Sequence, residues 1–365
     1  MDKFDILKSL QSKKNVLLMG APGTGKSKLM NDVAAAFMQG ASSTAPPSHQ
    51  PGAAVPIPAF PVNGTIGMLS MLQKRNRKVF RTTLHQNSKY RDFLTGITPK
   101  IGENEGYTIS KGILYRANEF AKQEDSAALL IIDELNRGPA IEVFGGSIVA
   151  IEPDKRLSDD NTIVDSTQFF EIINPESGEY EEYAFSPHLY ILASMNQADV
   201  SVAPLDVAFL RRWISLMLYP DYSPIYERYG VSAHHTLNIT TSTIQDVYFA
   251  AIKALETINR KITIGRGAEY QLGQGVFLST EPQGSTINDA LDLMLDCWSI
   301  IYAHIEELFF GEPNSIAYIL NADKDSSPFT LEEVTFAGET RFVLNHAPIN
   351  RETIFSLYCS LMEDD

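Results

Sequence analysis

The chain has 365 residues, of which 44% are hydrophobic and 10% aromatic. This composition excludes wholesale disorder, and the chain is long enough to form two domains. Its formal net charge of -15 excludes a surface that binds nucleic-acid phosphates non-specifically over its whole extent. No uncharged apolar run reaches the roughly 18 residues of a membrane span, and the first residues, Met1 to Asp5, do not show the basic stretch and apolar run typical of a secretory leader. We therefore expect a soluble, cytoplasmic protein with no membrane contact, whose Cys297 and Cys359 are buried thiols.

The first informative segment is an apolar run, Asn15 to Met19, that follows a short polar helix predicted over Asp2 to Leu10. Its length and composition predict a buried parallel strand. From Ser27 to Gln39, apolar side chains recur at helical spacing. A glycine-rich loop therefore joins a strand to a helix.

That loop matches the pattern G-x-x-x-x-G-K-[ST] and consists of Gly20, Ala21, Pro22, Gly23, Thr24, Gly25, Lys26 and Ser27. Glycines are needed because backbone N–H groups must turn inward around phosphates without Cβ clashes. We predict that this phosphate loop binds a nucleoside triphosphate. Lys26 would neutralise the β and γ phosphates, and the Ser27 hydroxyl would ligate Mg²⁺.

Two segments after the first helix have open interpretations. Residues 41–61 contain six prolines and are expected to form a surface insertion, either a loose loop or an ordered contact with a partner. The densest basic run of the chain follows. It is either a solvated face or a phosphate-contacting patch near a central pore, and it comprises Lys74, Arg75, Arg77, Lys78 and Arg81.

Two further apolar runs predict central strands of a parallel sheet, Ala127 to Ile132 and Leu189 to Met195. The first ends in Asp133 and Glu134, so Asp133 can reach a magnesium ion and Glu134 can act as general base on the attacking water. The second ends in Asn196, a candidate to orient the same water. Between the two runs, residues 171–183 predict a hairpin.

Arg211 and Arg212 lie on a segment, 205–213, whose pattern predicts a helix running into a strand. An arginine inserted from a neighbouring subunit can neutralise transition-state charge in such hydrolases. Beyond Pro220 strand alternation fades and helical spacing dominates. We therefore predict an α/β domain over residues 1–221, with a central parallel sheet flanked by helices, and a smaller, mainly helical lid domain over residues 222–365.

The order of these motifs resembles the AAA+ superfamily and, more narrowly, its McrB-like group, the motor subunits of modification-dependent restriction systems. Strong similarity covers residues 14–220, and weaker similarity extends to residue 320. In the lid, Ile264 to Arg266 and Leu272 to Phe277 weakly resemble a motif that touches nucleotide in the family. Beyond the phosphate loop, the matching segments are His85-Gln86-Asn87, Tyr90 to Phe93 with Gly96, Gly112 to Tyr115, Ile131 to Arg137, Val143 to Gly145, Asp154 to Arg156, Met195 to Asp199 and Leu210 to Trp213.

The resemblance implies a ring, of hexameric size, that hydrolyses a nucleotide with Mg²⁺ and drives an McrC-like nuclease or other effector on DNA. It assigns Asp199 to nucleotide binding and both arginines to the arginine-finger segment. Gln197 and Val200 stand where the family signature has Thr and Arg, so ATP and GTP both remain open. With about 14 residues ahead of the motor, we expect a partner to recognise the target.

Two other functions are compatible with the sequence. One is a MoxR-like ATPase that remodels partner proteins, which the acidic composition suits. The other is a nucleotide-gated scaffold that assembles on binding and is reset by hydrolysis.

Overall fold

A computed structural model describes residues 1–39, 69–100, 106–198, 205–238, 243–278 and 286–362. The chain divides into two compact units, one formed by residues 1–19 and 26–217 and the other by residues 20–25 and 218–365. The proline-rich segment 41–61, Asp199 and Val200 lie outside the described residues. Among the described helices, none combines the length and hydropathy that crossing a membrane requires.

The first unit contains a central sheet and two hairpins. Its strands are β1 Asn15–Gly20, β2 Asn76–Thr83, β3 Thr95–Lys100, β4 Gly106–Lys111, β5 Ser126–Asp133, β6 Phe170–Ile173, β7 Tyr180–Tyr183, β8 Leu189–Asn196 and β9 Ile214–Leu218. Five of them form one sheet in the order β2-β5-β8-β1-β9. β5 pairs in parallel with both β2 and β8, which confirms the predicted parallel sheet. β3 pairs with β4 and β6 with β7, each pair antiparallel.

Helices flank this sheet, as predicted. They are α1 Lys3–Lys13, α2 Lys26–Gln39, α3 Ser70–Gln73, α4 Tyr90–Phe93, α5 Ile113–Ala121, α6 Ala140–Phe144 and α7 Val207–Leu210. α1 begins with a capping box, in which the Asp2 carboxylate accepts from the Asp5 backbone N–H and the Asp5 carboxylate accepts from that of Asp2. It buries Ile6, Leu7 and Leu10.

A row of aromatic rings connects α4, α6 and α7 inside the first unit. The ring of Phe144 lies 4.8 Å from that of Phe93 and 5.3 Å from that of Phe209. The Phe209 ring is in turn 5.8 Å from Trp213. Tilted and edge-on rings at these separations attract one another beyond their area burial. This packing fixes the segment that carries Arg211 and Arg212.

The second unit is mainly helical, as predicted, with one hairpin. Its elements are α8 Ser223–Tyr229, α9 Ile244–Gly265, α10 Gly275–Leu278, α11 Ile287–Leu308, α12 Pro313–Ile319, β10 Phe329–Phe336, β11 Glu339–His346 and α13 Ile354–Leu361. Thr243 and Thr286 cap the two long helices through capping boxes. Cys297 lies in the apolar core of this unit, as expected, whereas Cys359 is only partly buried and packs against that core.

The expectation that strand alternation ends near Pro220 is wrong for β10 and β11, which pair antiparallel along their full length. Their turn places Ala337 at φ 52° and Gly338 at φ 83°. Two successive positive φ angles are the mark of a tight hairpin turn. Asn or Asp at the first position would have signalled it, but an alanine there carries no such signal.

Candidate nucleotide site

The phosphate loop leaves β1 at Gly20 and ends where α2 begins. Gly23 and Gly25 have φ angles of +74° and +88°, which side chains other than glycine rarely adopt. A Cβ at Gly20 would lie 2.3 Å from the carbonyl oxygen of Leu218. The buried hydroxyl of Thr24 donates to the carbonyl of Ala21 at 2.8 Å and closes the loop on itself. Three of the predicted glycines therefore occupy positions that require glycine.

Lys26 and Ser27 open α2 and face the carboxylates that end β5. Burial lowers the pKa of Lys26, and the charges of Glu134 and Asp133 oppose that shift. Ser27 and Asp133 line one cavity of about 340 Å³ in the first unit. A hydroxyl and a carboxylate oxygen are the hard donors that Mg²⁺ prefers, so these residues fit the predicted metal.

Ser194 on β8 holds the turn that carries the two acidic residues. Its hydroxyl donates to Oδ1 of Asp133 and accepts from the Glu134 backbone N–H at 3.2 Å. Sequence reasoning missed this residue. The parallel register that pairs Ile132 with Ala193 puts Ser194 beside Asp133, so a polar residue two positions before Asn196 was the available signal.

Glu134 has a left-handed backbone, with φ 54°, a conformation that costs a non-glycine residue of order 1 kcal/mol. Its carboxylate lies 3.3 Å from Nε of Arg137. Both side chains are partly exposed, 30% for Glu134 and 53% for Arg137. The candidate general base is thus paired with a cation of its own turn, a contact that sequence reasoning did not anticipate.

Asn196 ends β8 next to this turn. Its backbone carbonyl accepts from Nδ2 of Asn136 at 2.9 Å, and its Oδ1 accepts from the backbone N–H of Ala198 at 3.3 Å. The structure therefore brings the predicted water-orienting residue to the same end of the sheet as Asp133 and Glu134. Asn136 is a second residue that the sequence did not single out.

The two predicted arginines differ in their surroundings. Arg212 has a side chain only 6% exposed, with Nε 2.9 Å from Oε1 of Glu152, and it also donates to the Ala208 carbonyl. The Arg212 carbonyl accepts from Nδ2 of buried Asn15 at 3.1 Å. Arg211 is exposed. Arg211 lines a cavity of about 530 Å³ that also contains Lys13.

A phosphate loop after one parallel strand, an acidic pair after a second and an asparagine after a third define a P-loop NTPase of the AAA+ class. The family model "AAA domain (dynein-related subfamily)" matches residues 67–213. Two restriction-system proteins are also similar to the chain: the type IV methyl-directed restriction enzyme EcoKMcrB subunit of Escherichia coli K12, 26% identical over 84% of the chain, and the type II restriction enzyme BsuMI component YdiS of Bacillus subtilis 168, 28% identical over 58%. Together these matches support an McrB-like AAA+ NTPase.

The chain spans 56% of the EcoKMcrB subunit and 59% of YdiS. The crystal structure of a putative ATPase from Cytophaga hutchinsonii aligns with 87% of the chain and 79% of its own length, at 14% identity and a TM-score of 0.32. That likeness is too weak to add to the assignment.

Proposed function

We propose that the chain is the motor subunit of a restriction-type defence system. It forms a ring, hydrolyses ATP or GTP with Mg²⁺ in the cytoplasm, and drives an McrC-like nuclease or another effector on DNA. The similarity to two proteins that are named as restriction-system components supports the role in restriction. The contrast between exposed Arg211 and buried Arg212 supports the ring, because a side chain that projects from its own unit can reach a neighbour's nucleotide.

The proposed roles follow from the contacts at the ends of the strands. Ser27 and Asp133 would hold the metal ion, which supplies charge neutralisation for phosphoryl transfer. Lys26 and the loop N–H groups bind the phosphates. Glu134 takes the proton of the attacking water and Asn196 orients that water. Asp199, outside the described residues, is proposed from the resemblance to contact the nucleotide.

Arg211 would act as the arginine finger, a positive charge that enters the nucleotide site from the adjacent subunit. Its guanidinium forms no ion pair or hydrogen bond with any part of the chain that the structure describes, and it lies beside Lys13 in a cavity with the carboxylates of Glu152 and Asp154. An arginine delivered in trans accelerates hydrolysis by roughly 10³ to 10⁵. We assign the finger role to Arg211 and an internal bracing role to Arg212.

Mixing two inactive variants tests the shared site. Glu134→Gln removes the base and Arg211→Ala removes the finger, so each alone should release little phosphate from ATP or GTP. Combined in equal amounts, roughly a quarter of the subunit boundaries would join an intact Glu134 to an intact Arg211, and turnover should return to about that fraction. The control mixture replaces Arg211→Ala with the double variant and should stay silent. No recovery in the first mixture would contradict an arginine that acts between subunits.

The partner is tested separately from the site. DNA-stimulated hydrolysis, measured as phosphate release with and without duplex DNA, would support the restriction motor. The acidic composition, with a net charge of -15, favours the alternative of a MoxR-like ATPase that remodels protein partners. Turnover that DNA leaves unchanged and that rises with a co-purified protein would favour this alternative.

A further inference from the structure

Residues 20–25 of the phosphate loop belong to the second unit. Within that unit, a segment around Gln274 donates hydrogen bonds to the backbone carbonyls of the loop. The backbone N–H of Gly273 donates to the carbonyl of Pro22 at 2.8 Å, and that of Gly275 donates to the carbonyl of Gly23 at 2.8 Å. The Gln274 side chain completes the set, because its Nε2 donates to the carbonyl of Thr24 at 3.0 Å. Three consecutive loop carbonyls are therefore hydrogen-bonded by three consecutive residues.

This three-residue segment, which we call the collar (Gly273 to Gly275), is itself anchored. Buried Asn259 on α9 accepts from the N–H of Leu272 and donates to its carbonyl, both at 2.8 Å. Oε1 of Gln274 accepts from the Asp221 backbone N–H at 3.1 Å. Leu272, which precedes the collar, and the Gln274 side chain are thus both held within the second unit.

The collar lies so close to the loop that its glycines have no room for a side chain. A Cβ at Gly273 would lie 2.2 Å from the backbone carbonyl carbon of Gly23, and a Cβ at Gly275 would lie 2.9 Å from its oxygen. Backbone atoms cannot move aside as a flexible side-chain end can. The glycine pattern around Gln274 therefore reflects the approach of two backbones.

Peptide geometry connects this contact to phosphate binding. In a trans peptide the carbonyl and the following N–H point in opposite directions. A collar that holds the carbonyls of Pro22, Gly23 and Thr24 to one side therefore directs the N–H groups of Gly23, Thr24 and Gly25 to the other. Backbone N–H groups of this loop type are the ones that cradle phosphates.

We propose that Gln274 is a positioning residue for nucleotide binding, acting through the phosphate loop rather than on the nucleotide. With Gly273 and Gly275 it keeps the loop N–H groups aligned before the triphosphate arrives. The family resemblance assigns this segment to contact with the nucleotide, whereas these contacts are made with the loop's carbonyls. This role of Gln274 rests on the proposed binding of nucleotide by the phosphate loop and does not depend on the partner or on the ring.

Gln274→Met tests the side-chain contact, because methionine keeps the length, adds no charge and removes both hydrogen bonds. The matched control is Gln271→Met, since the Gln271 amide donates to the Thr263 hydroxyl at 2.8 Å and not to the loop. We expect Gln274→Met to weaken binding of fluorescent ATP and GTP analogues roughly tenfold and Gln271→Met to leave it unchanged. In turnover assays KM should rise by the same factor, with kcat nearly constant.

Gly273→Ala tests the backbone contact, with Gly106→Ala as control, because a Cβ at exposed Gly106 meets nothing within 4 Å. Gly273→Ala should lose still more affinity for the nucleotide. Melting without nucleotide separates positioning from stability. If Gln274→Met lowers the melting temperature of the nucleotide-free protein but binds both analogues like wild type, the proposal is wrong. Wild-type affinity in both the Gln274 and Gly273 variants would also overturn it.

Discussion

Replacing Arg211 and Arg212 separately by alanine should produce two different defects. Arg211 is exposed, so its removal should change the free energy of unfolding by no more than about 0.5 kcal/mol. As a charge supplied to a neighbouring site, it should cost roughly 10³ in turnover, or about 4 kcal/mol of transition-state stabilisation. Nucleotide affinity should be nearly unchanged, because the finger acts on the transition state.

Arg212→Ala should instead unfold more easily. The Arg212 side chain is 6% exposed and Glu152 is 26% exposed, so the variant leaves a largely buried carboxylate without its cation. Breaking a buried pair costs roughly 3–5 kcal/mol. We take about 3 kcal/mol here, because Glu152 retains some contact with water. For a unit of this size that lowers the melting temperature by roughly 6–12 °C.

The assay is thermal melting of both variants beside single-turnover phosphate release at saturating nucleotide. Arg211→Lys serves as a control for charge without the planar guanidinium fork, and should recover only part of the lost rate. An Arg212→Ala protein that melts like wild type but has no turnover, beside an active Arg211→Ala, would reverse the two roles and refute the reasoning from burial.

Three further predictions rest on single contacts. Arg137→Ala should raise basal turnover by up to roughly fivefold, the value of a partly exposed ion pair, because the Glu134 carboxylate is released; slower phosphate release at equal nucleotide affinity would contradict this. Ser194→Ala should raise the Mg²⁺ concentration for half-maximal turnover roughly tenfold, since residues that orient a metal ligand contribute about that much; an unchanged Mg²⁺ titration would count against it. Lys14→Met should stabilise the protein by about 2 kcal/mol at pH 7 in urea unfolding, because burial, aided by the charge of Arg156, lowers the Lys14 pKa to about 8. The destabilisation caused by the charged lysine is fully present below pH 8 and disappears between pH 8 and the unfolded-state pKa near ~10.4. The stability gained by Lys14→Met should therefore shrink over that pH range. An equal gain at pH 7 and pH 10 would show that the charge of Lys14 is not its cause.

The central sheet was predictable because buried parallel strands leave continuous apolar runs. β1 ends at Gly20, where the phosphate loop begins, and β5 and β8 end in the polar residues Asp133 and Asn196. The same logic placed Asp133, Glu134 and Asn196 at one end of the sheet. The hairpin over residues 171–183 was also predicted, and β6 and β7 confirm it. The β10 and β11 hairpin was missed because an alanine at the first turn position does not signal the positive φ angle found there.

The contacts between site residues were less accessible to sequence reasoning than the residues themselves. Nothing in a list of motifs distinguishes Arg211 from Arg212, because the difference depends on Glu152, which lies on a remote segment. The hydrogen bonds between the collar and the phosphate loop were likewise not predicted from the sequence. In the sequence this segment shows only a weak resemblance to a motif that touches nucleotide, and the fold identifies the phosphate loop as its neighbour.

The strand order has a consequence for how the protein is made. β1, which leads into the phosphate loop, is made before the other strands of its sheet, yet its neighbours in the sheet are β8 and β9. The Asn15 amide at its start bonds the carbonyl of Arg212, 197 residues further along the chain. Long-range pairing of this kind is slow and leaves apolar segments exposed. We therefore expect a nascent chain that stops before Leu189 to carry the phosphate-loop motif on a strand without its sheet neighbours and to be prone to aggregate.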